Sequence, residues 1–124
     1  MSQLPTSTII NVDTLQKLKN LQKPGRPDLL AALIHLYLET AAENVGQIRN
    51  SFKNKDLNAF TMAAHSLKSS SANLGALDFA KQCAEIEASG EADLTSIQLE
   101  EKVNKLEKNF LTVYQELRGF IIVS

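Results

Sequence analysis

Apolar residues recur along this chain at intervals of three and four over several long stretches, and only proline, glycine or short polar residues interrupt them. That spacing is the period of an α-helix, and no stretch of alternating polar and apolar positions competes with it, so the pattern predicts an all-α protein. Asn11 or Asp13 can cap a short first helix with Leu15, Leu18 and Leu21 three apart, and Lys23-Pro24-Gly25-Arg26-Pro27 then breaks it. A second helix is expected from about Pro27, which a first helical turn tolerates, to Phe52. Its stripe of Ile34, Leu38, Ala41, Val45, Ile48 and Phe52 runs nearly its full length and marks a core-facing side.

Asn54 and Asp56 supply a turn and a cap before a third helix with Phe60, Ala64, Leu67, Ser71 and Leu74 on one face, which Gly75 breaks or bends. A fourth helix is predicted over Ala76 to Ser89, burying Phe79, Cys83 and Ile86, with Gly90 placed as a left-handed C-cap. Asp93 or Thr95 then starts the last helix, whose face carries Leu99, Val103, Leu106, Phe110, Val113, Leu117 and Ile121. Connections this short favour antiparallel neighbours. The expected architecture is an antiparallel up-down-up-down four-helix bundle with an additional short N-terminal helix acting as a lid. Residues 1–10 are expected to form a flexible tail, and 11–124 one domain, which suits a chain of 124 residues.

Charge and composition remove several classes of function. The net charge of −1, with both signs interspersed, provides no basic field to hold a phosphate backbone, so nucleic acid is not an expected partner. Cys83 is the sole cysteine, which excludes an intramolecular disulfide, and no Cys/His cluster has the spacing of a zinc site; no metal ligands are assigned. No apolar run approaches the roughly 20 residues that span a bilayer, and no secretory leader is legible. A cytoplasmic protein without direct membrane contact is expected, and its mixed-charge helix faces lean towards a monomer.

The chemistry concentrates in Ala64-His65-Ser66-Leu67-Lys68-Ser69-Ser70-Ser71-Ala72-Asn73-Leu74-Gly75-Ala76. At 100° per residue, His65 falls roughly 140° from the centre of the third helix's apolar stripe, and so points away from the core. A neutral imidazole nitrogen is a nucleophile near physiological pH. Lys68 lies one turn later and about 60° around, where its ammonium can reach an oxygen of a phosphoryl group on the ring. Thr61, Ser69 and Ala72 share this outer face and leave space for a partner. The serines at 69–71 have no adjacent base or oxyanion site and read as spacers. His35, by contrast, has Ala31, Ala32, Leu38 and Glu39 one turn away and is read as structural or incidental.

The stretch resembles the signature of histidine-containing phosphotransfer (HPt) domains, His-x-Leu-Lys-Gly-Ser-x-x-x-Leu-Gly with small residues in the gaps. It departs from that signature at Ser69, where the family usually has glycine. The resemblance implies a phosphorelay intermediate in two-component signal transduction. His65 would accept a phosphoryl group from a receiver-domain aspartate and pass it to another, with Lys68 stabilising the phosphoryl oxygens. In such domains an acid or amide in a similar Cys-x-x-Ile-Glu/Gln setting accepts a hydrogen bond from the histidine's Nδ1, a role that falls to Glu87 in Cys83-Ala84-Glu85-Ile86-Glu87. Partners would be response-regulator receiver domains or a hybrid sensor kinase, docking on Asn58, Thr61, Met62, Ser69 and Ala72, with Gly75 bending the backbone.

The chain carries neither a P-loop nor a dinucleotide-type glycine loop, and no obvious carboxylate set for Mg²⁺. It is therefore expected to be a phosphotransfer protein rather than an ATP-using enzyme, with no cofactor of its own and Mg²⁺ on the partner. Two other readings stay open here: the phosphoacceptor domain of a histidine kinase charged by a separate catalytic domain, and a helical adaptor without chemistry. A ferritin-like metal enzyme is set aside, because neither histidine has a glutamate three residues before it.

Overall fold

The computed structural model describes residues 7, 9–25 and 28–122. Five helices follow in order: α1 (Val12–Asn20), α2 (Leu29–Asn54), α3 (Leu57–Asn73), α4 (Leu77–Ala92) and α5 (Ile97–Ile122). Helices α2 to α5 form the bundle, each packing on the next, and α2 meets α5 to close the ring. The stripes read from the sequence are the core: Ile34, Leu38, Ala41, Ile48 and Phe52 on α2 are buried, as are Phe60, Ala64, Leu67 and Ser71 on α3. Val45 is only partly covered. At the end of α5 the buried side chain is Phe120 rather than Ile121, because the face advances there by three residues from Leu117 instead of four.

Helix ends follow from side chains that satisfy backbone N–H groups otherwise left without partners. The side chain of Asn11 accepts from the Thr14 N–H, Asp28 from Ala31 and Asp56 from Ala59, which settles the choice between Asn11 and Asp13 and puts the cap of α3 at Asp56. The cap of α5 is neither Asp93 nor Thr95 but Ser96, whose Oγ accepts from the Leu99 N–H at 2.9 Å. Asp93 is engaged one step earlier, its Oδ1 taking both the N–H and the hydroxyl of Thr95 and tightening the turn between α4 and α5. Those two bonds hold its carboxyl below the usual range. Helix α2 begins at Leu29, and the expected start at Pro27 lies outside the described residues.

The 26-residue helices α2 and α5 are longer than α3 and α4, of 17 and 16 residues. The excess emerges at the end marked by the α3–α4 turn, and the N-terminal segment covers it. Leu15 and Ile10 are buried there. The Asn11 N–H donates to the Gly75 carbonyl at 2.8 Å. The tail expected over residues 1–10 therefore needs correcting at its end: Ile10 is core, and the Ser7 hydroxyl accepts from the Ile9 and Ile10 N–H groups. Residues 1–6 and 8 lie outside the described residues. Leu21, by contrast, is exposed at the C-cap of α1.

Two glycines have different work. Gly75 has φ +84° and ends α3: its N–H donates to Ala72 and that of Ala76 to Ser71, a Schellman arrangement that needs a left-handed residue. Gly90 was expected to be such a cap and is not, for it lies inside α4 without positive φ. Its role is steric: a Cβ at Gly90 would meet Phe60 Cε1 at 2.3 Å. Absence of a side chain there lets α4 close on α3. The buried hydroxyl of Ser71 shares a hydrogen bond of 2.7 Å with Tyr37 of α2, a core residue off the stripe read from the sequence. At the surface, the Arg49 guanidinium donates to both carboxylate oxygens of Glu107 and joins α2 to α5.

Adding a methyl at Gly90 must displace the Phe60 ring or the helix. Gly90→Ala is expected to cost about 1–3 kcal/mol in urea unfolding. Combined with Phe60→Leu it should cost less than the sum of the two single changes, because the clash then has no ring to meet. Burial also pushes the Cys83 thiol up to about 12 from its ordinary 9.0, and raises the Tyr37 phenol. The sign follows from linkage. Below pH 9 both states hold these protons; above it the unfolded chain releases them first, so stability falls as pH rises through the window from 9 to 12. Cys83→Ala should flatten that decline by up to about 1.4 kcal/mol per pH unit, measured as denaturation midpoints from pH 8 to 11.

Candidate functional site

Asp56 starts α3, and the burial of Phe60, Ala64 and Leu67 sets its rotation. His65, one residue past buried Ala64, is thereby turned outward with 60% of its side chain exposed. On α4 the burial of Ile86 does the same for its successor, and Glu87 stands on the edge facing α3 with 17% exposure. The buried residues of these two helices include Ala63, Ala64 and Ser71 on α3 and Ala80, Cys83 and Gly90 on α4. Small side chains at a helix contact allow a short interaxial distance, which brings Glu87 within reach of α3.

Three of the residues expected at the site converge. Glu87 Oε2 lies 3.5 Å from His65 Nδ1, and its other oxygen, Oε1, lies 3.4 Å from Lys68 Nζ. One carboxylate thus faces both the ring and the ammonium, from a half-buried position where its charge is less screened than at an open surface. The Nδ1 contact is longer than a normal N–H···O bond of roughly 2.7–3.2 Å, as is common before a reacting group is bound. With the carboxylate on the Nδ1 side, Nε2 is the nitrogen left for an incoming partner. Lys68 donates its ammonium to this carboxylate.

The residues expected to ring the histidine divide by position. Asn58, Met62 and Ser69 are exposed, and Thr61 and Ala72 are half-buried, all on α3. Met62 is 71% exposed and is the largest apolar side chain of this face. Gly75 bends the backbone at the end of α3, as expected. It is ten residues from His65, about 15 Å along the helix axis, and holds the N-terminal segment through its carbonyl. A Cβ at Gly75 would lie 2.7 Å from the Asn11 carbonyl oxygen, so close approach adds to the demand for glycine.

The second helix contributes where the sequence offered no signal. A shallow groove of about 310 Å³ beside His65 is lined by Asn44 and Gln47 of α2 with Ala59, Met62, Ala63 and Ser66 of α3. Asn44 and Gln47 flank the apolar stripe of α2 as ordinary polar edge residues, and only packing brings them next to Met62. His35 is exposed on α2, and none of the ion pairs among the described residues includes it. Cys83 is buried, which keeps its thiol protonated and inert. Among the described residues no group of three or more His, Cys, Asp or Glu is placed to hold a metal ion, and no helix is long and apolar enough to cross a membrane.

A family model described as "Hpt domain" matches residues 32–118, from the first turn of α2 into the last third of α5. Among solved structures, histidine-containing phosphotransfer protein B (HptB) from Pseudomonas aeruginosa PAO1 is similar over 91% of this chain and 94% of its own, with a TM-score of 0.80 and 20% sequence identity. At that identity the likeness is one of fold. No curated protein matches.

With Glu87 as the acceptor facing Nδ1, the neutral ring should carry its proton there. Long-range ¹H–¹⁵N spectra of the neutral ring are expected to show Nδ1–H as the major tautomer of His65. Glu87→Ala should make it the minor one while leaving His35 unchanged.

Proposed function

The chain belongs to the Hpt family of histidine-containing phosphotransfer domains, and we propose that His65 is its phosphoryl carrier, charged by the aspartyl phosphate of a receiver domain and discharged onto a second receiver aspartate. The family serves as relay intermediates in two-component signalling and does not act as a kinase. The observation that carries the assignment is the convergence on one exposed imidazole: one Glu87 carboxylate oxygen at Nδ1 and the other at Lys68.

In the forward step the Nε2 lone pair attacks phosphorus in line, an N–P bond forms, and the O–P bond to the receiver's aspartate breaks to release its carboxylate. The ring keeps its Nδ1 proton and takes up positive charge. Glu87 faces that proton and stabilises the charge as it develops. Lys68 offers its ammonium to the phosphoryl oxygens, over which the transition-state charge is spread. Positioning and electrostatics dominate such a transfer, so the helix faces that hold these three groups are the chain's main contribution.

On this reading the receiver brings the Mg²⁺ that the transfer requires, and ATP is used elsewhere, by the kinase that first charges the relay. The receiver docks over the face of Asn58, Thr61, Met62, Ser69 and Ala72, extended onto α2 by the Asn44 and Gln47 groove. Ser69, in place of the family's usual glycine, adds a hydroxyl at the rim of that face. A monomer acting in the cytoplasm, free of membrane and nucleic acid, is the form we assign to it.

A phosphorylated receiver domain with Mg²⁺ should transfer acid-labile, alkali-stable label to the wild-type chain and none to His65→Gln. Lys68→Ala should slow the transfer on the order of tenfold, less than loss of a fully buried donor, because this ammonium is partly solvated. Equal label on wild type and His65→Gln would refute the assignment. Labelling only by a histidine kinase catalytic domain with ATP would replace the receiver as donor.

A further inference from the structure

Lys68 is paired with the carboxylate that faces Nδ1, the ring nitrogen opposite the one that takes the phosphoryl group. The phosphoryl group forms on Nε2, whereas the ammonium sits 3.4 Å from Glu87 Oε1, whose carboxylate is aligned with Nδ1. Glu87 is the only acidic side chain paired with either residue among the described ion pairs. Before transfer the three groups sum to no net charge: one ammonium, one carboxylate and a neutral imidazole. No unopposed cation waits for the phosphoryl group.

We propose that Glu87 competes with the phosphoryl group for Lys68. The same carboxylate that stabilises the phosphorylated ring through Nδ1 withholds part of the lysine from the phosphoryl oxygens, so phosphorylated His65 stays only moderately stable and is readily discharged. The proposal rests on His65 being the phosphoryl carrier and concerns how its charged state is tuned. Glu87 acts here as a positioning residue, through Lys68, and touches no phosphoryl atom itself.

A glutamine at this position separates the two effects. Its amide oxygen can still accept from Nδ1–H, but it carries no charge to hold the ammonium. Lys68 is then free to turn to the phosphoryl oxygens, where a partly screened ion pair contributes more than it does when shared. The lysine should therefore matter more to the phosphorylated state when Glu87 is absent. If Glu87 instead served to aim Lys68 at the phosphoryl group, the lysine would matter less without it.

The test is the equilibrium constant for phosphoryl exchange between one receiver domain and this chain with Mg²⁺, measured for wild type, Glu87→Gln, Lys68→Met and the double variant. Lys68→Met is expected to lower the phosphohistidine share about two- to threefold in the wild-type background and about tenfold in the Glu87→Gln background. An equal or smaller loss in the Glu87→Gln background would overturn the competition, and a smaller one would make Glu87 the residue that aims Lys68. A general loosening of the site by Glu87→Gln would lower the phosphohistidine share of both proteins that carry it without enlarging the lysine's effect, which would also overturn the competition. Failure of the wild type to take label on His65 at all would remove the carrier assignment itself, and the competition with it.

Discussion

The close approach of α4 to α3 is the constraint on which the site depends. It is made possible at Gly90, where the missing side chain leaves room for the Phe60 ring, and by small buried residues along both helices. The contact has two consequences in one stroke. It seals Phe60, Cys83 and Ile86 in the core, and it sets the distance at which Glu87 can face His65 and Lys68. A wider spacing would leave a histidine and a lysine on α3 with no carboxylate opposite them.

Burial next to exposure does the rest of the aiming. Ala64 and Ile86 are core residues, and the residues after them, His65 and Glu87, are turned out of the core by the helical step of 100°. The packing energy of the apolar stripes therefore fixes two polar side chains that contribute little to stability themselves. A part-buried ion pair such as Lys68 with Glu87, at 3.4 Å, is worth on the order of 1 kcal/mol to the fold. Its value is in the charge it holds beside a nucleophile, which makes the site adjustable by substitutions that scarcely affect folding.

The other end of the bundle is built for stability alone. Long helices α2 and α5 overhang the α3–α4 turn, and α1 with Ile10 covers the apolar surface they would expose. Gly75 serves this end by turning left-handed and letting Asn11 come close enough for a backbone hydrogen bond. The family match begins at residue 32, after this closing segment. The candidate site around His65 thus lies on the middle of α3, remote from the clasp.

The order of the helices, their buried faces and the outward turn of His65 and Lys68 were legible in the sequence, because all of them follow from a period of 3.6 residues within a single helix. So were the caps at Asn11, as an alternative to Asp13, and at Asp56 beside Asn54. The remainder depended on contacts between helices, which no local pattern encodes. The purpose of Gly90 could not be read without Phe60 on the other helix, nor that of Gly75 without Asn11. Tyr37 joined the core because Ser71 offered its hydroxyl a partner. Ser96 displaced Asp93 and Thr95 as the α5 cap because those two bond each other. Resemblance pointed to Glu87 at the ring, yet its hold on Lys68 and the groove formed with Asn44 and Gln47 were decided by tertiary packing, since both depend on the distance between neighbouring helices.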